Sequence, residues 1–383
     1  MKKYLISILS SLLLVGLISS IAPTICYAEK YKAYYYDVLD DGTASIWLID
    51  RKYVEKHKNF KIPSKIDGHT VTQLEWCFEG VDGSSKWPIT VTIPKTVNYL
   101  WRNPFQDCPT VKSIKVDKGN ETFCSINGVL YKKLDCGRLA LVSYPPAKKG
   151  NFSIPDNVFD IEEFAFSNVK NLKKLTIHPL VNISGEAFMH ANVKNVSMSD
   201  FFSSSTVGWN TGNTTNNINR TFGYCDKLKK VDIATFDYIN ATLIVYTGWD
   251  GKTYTYNIQP RKNAGENPIG YEAVLQDGDY TTYASADAMI PDEFFHYCSS
   301  LNSVTIGDNI YEIQDYAFAE CTNLKSVRIS GNITKIGKNA FKNINSKATI
   351  TIESGDDDYK RIQKLLRSKS VGLPKKVKIV QKK

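Results

Sequence analysis

Five histidines, eight cysteines and a few close carboxylate pairs are the residues of this chain that could do chemistry. His57, His69, His178, His190 and His296 are scattered, and none stands in the H-E-x-x-H pair that holds zinc. No serine occupies a G-x-S-x-G elbow, and no glycine-rich loop is spaced to cradle a phosphate. His296 lies two residues before Cys298, the best arrangement here for an activated thiol. Neighbours that close in sequence do not readily form the dyad. Asp277 and Asp279, and the acids at 356–358, fall where turns already explain them. No acid, base and nucleophile converge, so the expectation is a chain that is not an enzyme, with no cofactor and no metal.

The cysteines lead to the elements that position everything else. Cys108, Cys225, Cys298 and Cys321 each stand three residues before the Val or Leu that opens one motif. That motif, Leu301-x-x-Val304-x-Ile306, recurs 23 residues later as Leu324-x-x-Val327-x-Ile329, and Ala317-Phe318 recurs as Ala340-Phe341. A fixed period in this range marks a solenoid of stacked units. A cysteine at one place in each unit reads as a small buried apolar residue, because stacked copies line up in a row and do not converge on a metal. Cys124 and Cys136 flank a hairpin and could pair; spacing leaves that open.

Taken in order, residues 1–28 read as an export signal: Lys2 and Lys3, an apolar run over 5–21, and a Cys-Tyr-Ala end at Ala28. Cleavage there removes two lysines and takes the formal charge from +9 to +7. Residues 29–60 carry strand-like runs around Asp41-Gly42, a hairpin signal suited to capping the first repeat. Repeats follow over 61–198, interrupted at 120–150 by alternating residues around Asn127-Gly128 and Cys136-Gly137, a three-stranded meander. A polar loop spans 199–220, one repeat spans 221–233, and an aromatic insertion with a hairpin around Trp249-Asp250-Gly251 spans 234–288. Repeats resume over 289–354, and 355–383 holds a short amphipathic helix and a basic tail. From 360 to 383 there are ten Lys or Arg and no acid.

The succession Ile-Pro, Ala-Phe, Cys-x-x-Leu-x-x-Val-x-Ile, clearest at 290–341 and 154–198, resembles the BspA-like (Treponema-type) leucine-rich repeats. The resemblance implies a β-rich solenoid, a leucine-rich-repeat right-handed superhelix with inserted β-hairpins. It also implies an exported bacterial protein, often one that binds host matrix or other cells.

Binding candidates follow from the pattern. Apolar positions of L-x-x-L-x-L point into the stack, and the residues between them point out onto a sheet face. Lys115, Lys174, Thr176, Asn195, Lys230, Asp232, Thr305 and Arg328 form that outward row. Any solvated sheet face would look similar. Tyr246, Trp249, Tyr254 and Tyr256 are the candidates in the insertion, where exposed rings could hold a sugar face or a protein, or else cover the hairpin itself. The expected partner is a host or bacterial surface protein or glycan, with an anionic wall polymer reached through the basic tail, and no nucleic acid. The alternative reading is a structural module of the envelope held by that tail. No later stretch of about 18 apolar residues exists and no sortase sequence is present, so the expected location is secreted or cell surface.

Overall fold

The computed structural model describes residues 29–75, 78, 89–178, 181–199, 220–234, 243–260, 270–275, 281–285, 288–329 and 333–383. Residues 1–28, the expected export signal, and residues 200–219 of the expected polar loop lie outside the described residues.

The L-x-x-L-x-L motif sets the architecture. Its apolar residues, such as Leu301, Val304 and Ile306, are buried in copy after copy. Its second half forms a short strand. Lys149–Ser153, Asn171–Ile177, Val193–Ser199, Lys230–Ala234, Ser303–Ile306, Ser326–Ile329, Thr349–Glu353 and Lys378–Lys382 make one eight-stranded sheet. Each adjacent pair is parallel, with Val196, Val231, Val304, Val327, Ile350 and Ile379 in register. β-Branched residues suit this pleated surface, and buried like-on-like rows fix the register. A second parallel ladder joins Ala288–Ile290, Ile310–Ile313 and Lys335–Ile336.

Between the two ladders the Ala-Phe segment turns a corner. Two residues four apart take left-handed φ at each corner: Glu186 with His190, Arg220 with Tyr224, Glu293 with Tyr297, and Tyr316 with Glu320. Side-chain-bearing residues seldom adopt it. Here backbone hydrogen bonds between successive corners hold it, Phe188 N–H donating to Thr221 at 2.9 Å, Phe222 to Phe294 at 2.9 Å and Phe295 to Ala317 at 2.8 Å. Inside the corners Phe166, Phe188, Phe222, Phe295, Phe318 and Phe341 stack as a spine. Successive centroids lie 4.4–5.4 Å apart and the rings are within 22° of parallel. Such pairs add about 0.5–1.5 kcal/mol each beyond area burial.

The recurring cysteine fits this packing. The thiols of Cys225, Cys298 and Cys321 donate to the carbonyls of Phe188, Phe222 and Phe295, one corner back, at 3.1, 3.0 and 3.1 Å. Cys124 and Cys136 are free thiols, so the pairing that spacing allowed is not made.

The interior forms two clusters. The meander of Phe123–Ile126, Val129–Lys133 and Leu139–Ser143 serves both: Tyr131, Leu139 and Leu141 pack in the larger, Leu130 and Val142 in the smaller. Alternation along a strand sends neighbours to opposite faces, so one hairpin can join two cores. Its turn, Asn127 at φ 52° and Gly128 at φ 78°, is of the primed type. The Gly128 carbonyl accepts from Ile114 N–H at 2.9 Å. That contact closes the edge of a separate three-stranded sheet, Asn59–Lys61, Thr90–Ile93 and Ser113–Val116.

The ends differ in detail from expectation. The first segment has three antiparallel strands, Glu29–Tyr31, Tyr34–Val38 and Ala44–Ile49, and the third pairs in parallel with His69–Leu74. The helix Asp356–Leu366 buries Ile362 and Leu366. After it, Val371 and Val377 are buried and Lys378–Lys382 joins the sheet, so the basic stretch is folded and not a loose tail.

Candidate binding faces

Register places the outward residues in two columns across the large sheet. Lys174, Asn195, Lys230, Ser303, Ser326 and Thr349 follow one another in the first. Thr176, Ser197, Asp232, Thr305, Arg328 and Thr351 follow in the second. Seven of the eight sequence-derived face residues therefore share one surface. Lys115 does not: it lies in the strand Ser113–Val116, on the three-stranded sheet beyond the meander turn. The L-x-x-L-x-L spelling is the same in both places, and the break comes from the hairpin wedged between them.

Charges on this face are partly spent. Lys230 Nζ lies 3.7 Å from Asp232. Arg328 and Lys382 both reach Glu353, at 2.5 and 2.8 Å, and the Arg328 hydrogen bond, then that of Lys382, holds the Glu353 carboxyl below its ordinary range. Lys383 lies 3.2 Å from Asp356.

A third column was missed by the outward-row reading. The first residue inside L-x-x-L is exposed in every copy, as Lys112, Lys173, Lys194, Lys229, Asn302 or Lys325. Backbone bonds run from Lys229 N–H to Lys194 O, Asn302 N–H to Lys229 O and Lys325 N–H to Asn302 O, at 2.8, 2.8 and 2.9 Å. The signal was in the sequence: lysine recurs at a repeat position that has no packing role.

The insertion forms a four-stranded antiparallel sheet, Leu243–Thr247, Thr253–Pro260, Gly270–Leu275 and Thr281–Ser285, larger than the expected hairpin. Its first turn docks on the meander. Tyr246 is buried, its hydroxyl donating to Cys136 O at 2.8 Å and its ring 5.1 Å from Phe159. Trp249 Nε1 donates to Leu134 O at 2.8 Å, and Lys133 sits 5.0 Å above the ring. Tyr254 stacks on Tyr246 at 5.3 Å and donates to Asp250 at 2.7 Å. Tyr246 is thus a mounting residue with no free ring face, while Trp249 stays exposed. Tyr256 lies on the strand Thr253–Pro260, and its side chain is outside the described residues. Sequence could not show this docking, since its two sides are more than 100 residues apart.

The corners carry an aromatic row that sequence reading also passed over. Tyr224 and Tyr297 stack at 5.0 Å and His190 lies 5.3 Å from Tyr224. Beside them Arg220 hydrogen-bonds Glu293 and holds that carboxyl below its ordinary range, while burial pushes His296 down. The thiol–imidazole pairing considered from sequence is not built, because Cys298 is buried with its thiol on the Phe222 carbonyl.

No curated protein matches this chain. Among solved structures, a leucine-rich cell surface protein from Faecalibacterium prausnitzii A2-165 is 16% identical, over 90% of this chain and 98% of that one, at a TM-score of 0.41. A leucine-rich repeat protein from Eubacterium ventriosum is 16% identical over 82% and 93%, at 0.42. The BspA type leucine rich repeat region matches in six copies, over residues 147–248 and 288–381. These spans cover more than half of the chain and coincide with the stacked strands and corners, so the chain belongs to the BspA type leucine-rich-repeat family.

Proposed function

We propose that this is an exported bacterial surface protein that works by binding, without catalysis, to a protein or glycan of a host or neighbouring cell. The observation that carries the reading is the large sheet's exposed face, with two unbroken outward columns over its strands. At about 4.8 Å per strand, eight strands span roughly 34 Å, long enough for an extended ligand. Family membership supports a non-catalytic role. In this reading the parallel strands wind as a right-handed superhelix, the usual hand for such crossovers. The hairpin at 29–60 and the helix Asp356–Leu366 close its two open ends.

The test is an array of matrix proteins and glycans probed with the folded chain and with Thr305→Trp, a bulky block in the second column. Loss of the captured partner on Thr305→Trp supports the face, and unchanged capture by a folded variant removes it. Retention by the basic stretch is the second reading. Deleting 360–383 would remove the buried Ile362, Leu366, Val371 and Val377 together with the strand Lys378–Lys382, so charge-neutralising substitutions at Lys360, Lys375 and Lys376 are the cleaner probe.

A further inference from the structure

The lysines at the first exposed position of L-x-x-L form a line. Lys173 and Lys194 lie on two neighbouring strands of the large sheet and Lys229 immediately precedes the next, Lys230–Ala234, and all three are exposed. Asn195 Nδ2 donates to Lys173 O at 3.3 Å, and Lys229 N–H donates to Lys194 O at 2.8 Å, fixing them as strand-to-strand neighbours. Neighbouring strands lie about 4.7–4.9 Å apart, so the three lysines leave the backbone at close to that pitch. Like charges on facing strands repel, and nothing in the packing asks for lysine here. Opposite charge is missing locally. Asp232 is the one carboxylate in the two columns alongside, and it lies 3.7 Å from Lys230, leaving the line itself without an ion pair among the described residues. Beyond Asn302 the line resumes at Lys325 and ends at buried Ala348.

We infer that this line is the binding site for a linear anionic glycopolymer lying across the strands, with its sulfate or phosphate groups against Lys173, Lys194 and Lys229. The inference rests on the binding reading above and assigns it a ligand class and a place. A regular row of cations at one pitch matches a chain that repeats its anions regularly, and it does not match the uneven charges of a folded protein surface. Release of counterions drives such binding and makes it salt-dependent. The site differs from the C-terminal basic stretch, where Lys382 and Lys383 are already paired with Glu353 and Asp356.

The experiment compares the full chain with two triple variants of equal charge change: Lys173→Gln/Lys194→Gln/Lys229→Gln, and Lys360→Gln/Lys375→Gln/Lys376→Gln. Probes are heparin for a sulfated glycan, poly(glycerol phosphate) for a wall-type polymer, duplex DNA as a polyanion of another class, and neutral dextran as the blank. The expected result is at least a tenfold loss of affinity in the first variant and less than twofold in the second. The slope of log affinity against log salt should also fall by about 2 in the first variant, near 0.7 per lost contact. Whichever of heparin and poly(glycerol phosphate) binds tighter names the source. Equal losses in the two variants, no binding to either polyanion, or tighter binding to duplex DNA would overturn the inference. If neither polyanion binds while the array captures a protein or neutral glycan that the first variant still binds, the polyanion site fails and the binding reading stands.

Discussion

Phe222→Ala cuts the aromatic spine at its middle. Phe222 is fully buried between Phe188, at 4.4 Å and 6° from parallel, and Phe295, at 5.4 Å and 19°. Phe294 meets it edge-on at 5.4 Å. Phe341 near the other end stacks on Phe318 at 5.3 Å, with no further ring stacked beyond it among the described residues. Truncating a buried phenylalanine costs about 3–5 kcal/mol through lost transfer energy and the cavity left behind. Two ring partners and one edge contact put Phe222→Ala near the top of that range, about 5 kcal/mol, and one partner puts Phe341→Ala near about 3 kcal/mol. With a urea slope of about 2–3 kcal/mol/M, the midpoint should fall by about 2 M for Phe222→Ala and by about 1 M for Phe341→Ala. Phe222→Leu, which keeps most of the volume and loses the stacking, should recover more than half of the loss. Circular dichroism against urea measures all three. Equal midpoints for the two alanine variants, or a shift below about 0.5 M for Phe222→Ala, would refute the spine as a stabilising element.

Gly137 stands at φ 67°, and a Cβ there would come within 2.5 Å of Tyr254 Cε2 and 2.6 Å of Gly248 Cα. Gly137→Ala should loosen the docked insertion by about 1.4 kcal/mol, seen as roughly tenfold faster proteolysis within 234–288, while the repeats stay folded. Burial, against the opposing charge of Lys132, pushes the Glu162 carboxyl up to about 7, with Asp160 adding to the shift. Its folded value therefore exceeds the ordinary carboxylate value of about 4.3, so its stabilising contribution is whole below that pH and is lost as pH rises through 7. Glu162→Gln should match the parent at about pH 4 and exceed it in urea midpoint at about pH 8.5. Burial also lifts the Cys225 and Cys321 thiols far above the ordinary thiol range. Both should resist a thiol reagent in the native chain and react once urea unfolds it; rapid native labelling would argue against the buried ladder.

Much of this molecule is written in its sequence because a repeat tells its story several times. The period of 23, the buried positions of Leu301, Val304 and Ile306 and the role of Cys298 as a small core residue all follow from one copy resembling the next. Local turn chemistry was equally legible, Asn127-Gly128 being a primed turn wherever it falls. Tertiary structure alone decided which copies share a sheet. Lys115 and Lys174 have the same spelling around them, yet the meander turn separates their strands, because Leu130 and Val142 face one core and Leu139 and Leu141 the other. It alone mounted Tyr246 and Trp249 on Cys136 and Leu134. Periodicity encodes contacts between neighbours in a stack, where the sequence distance is constant. Contacts made once, between segments a hundred residues apart, leave no period to read.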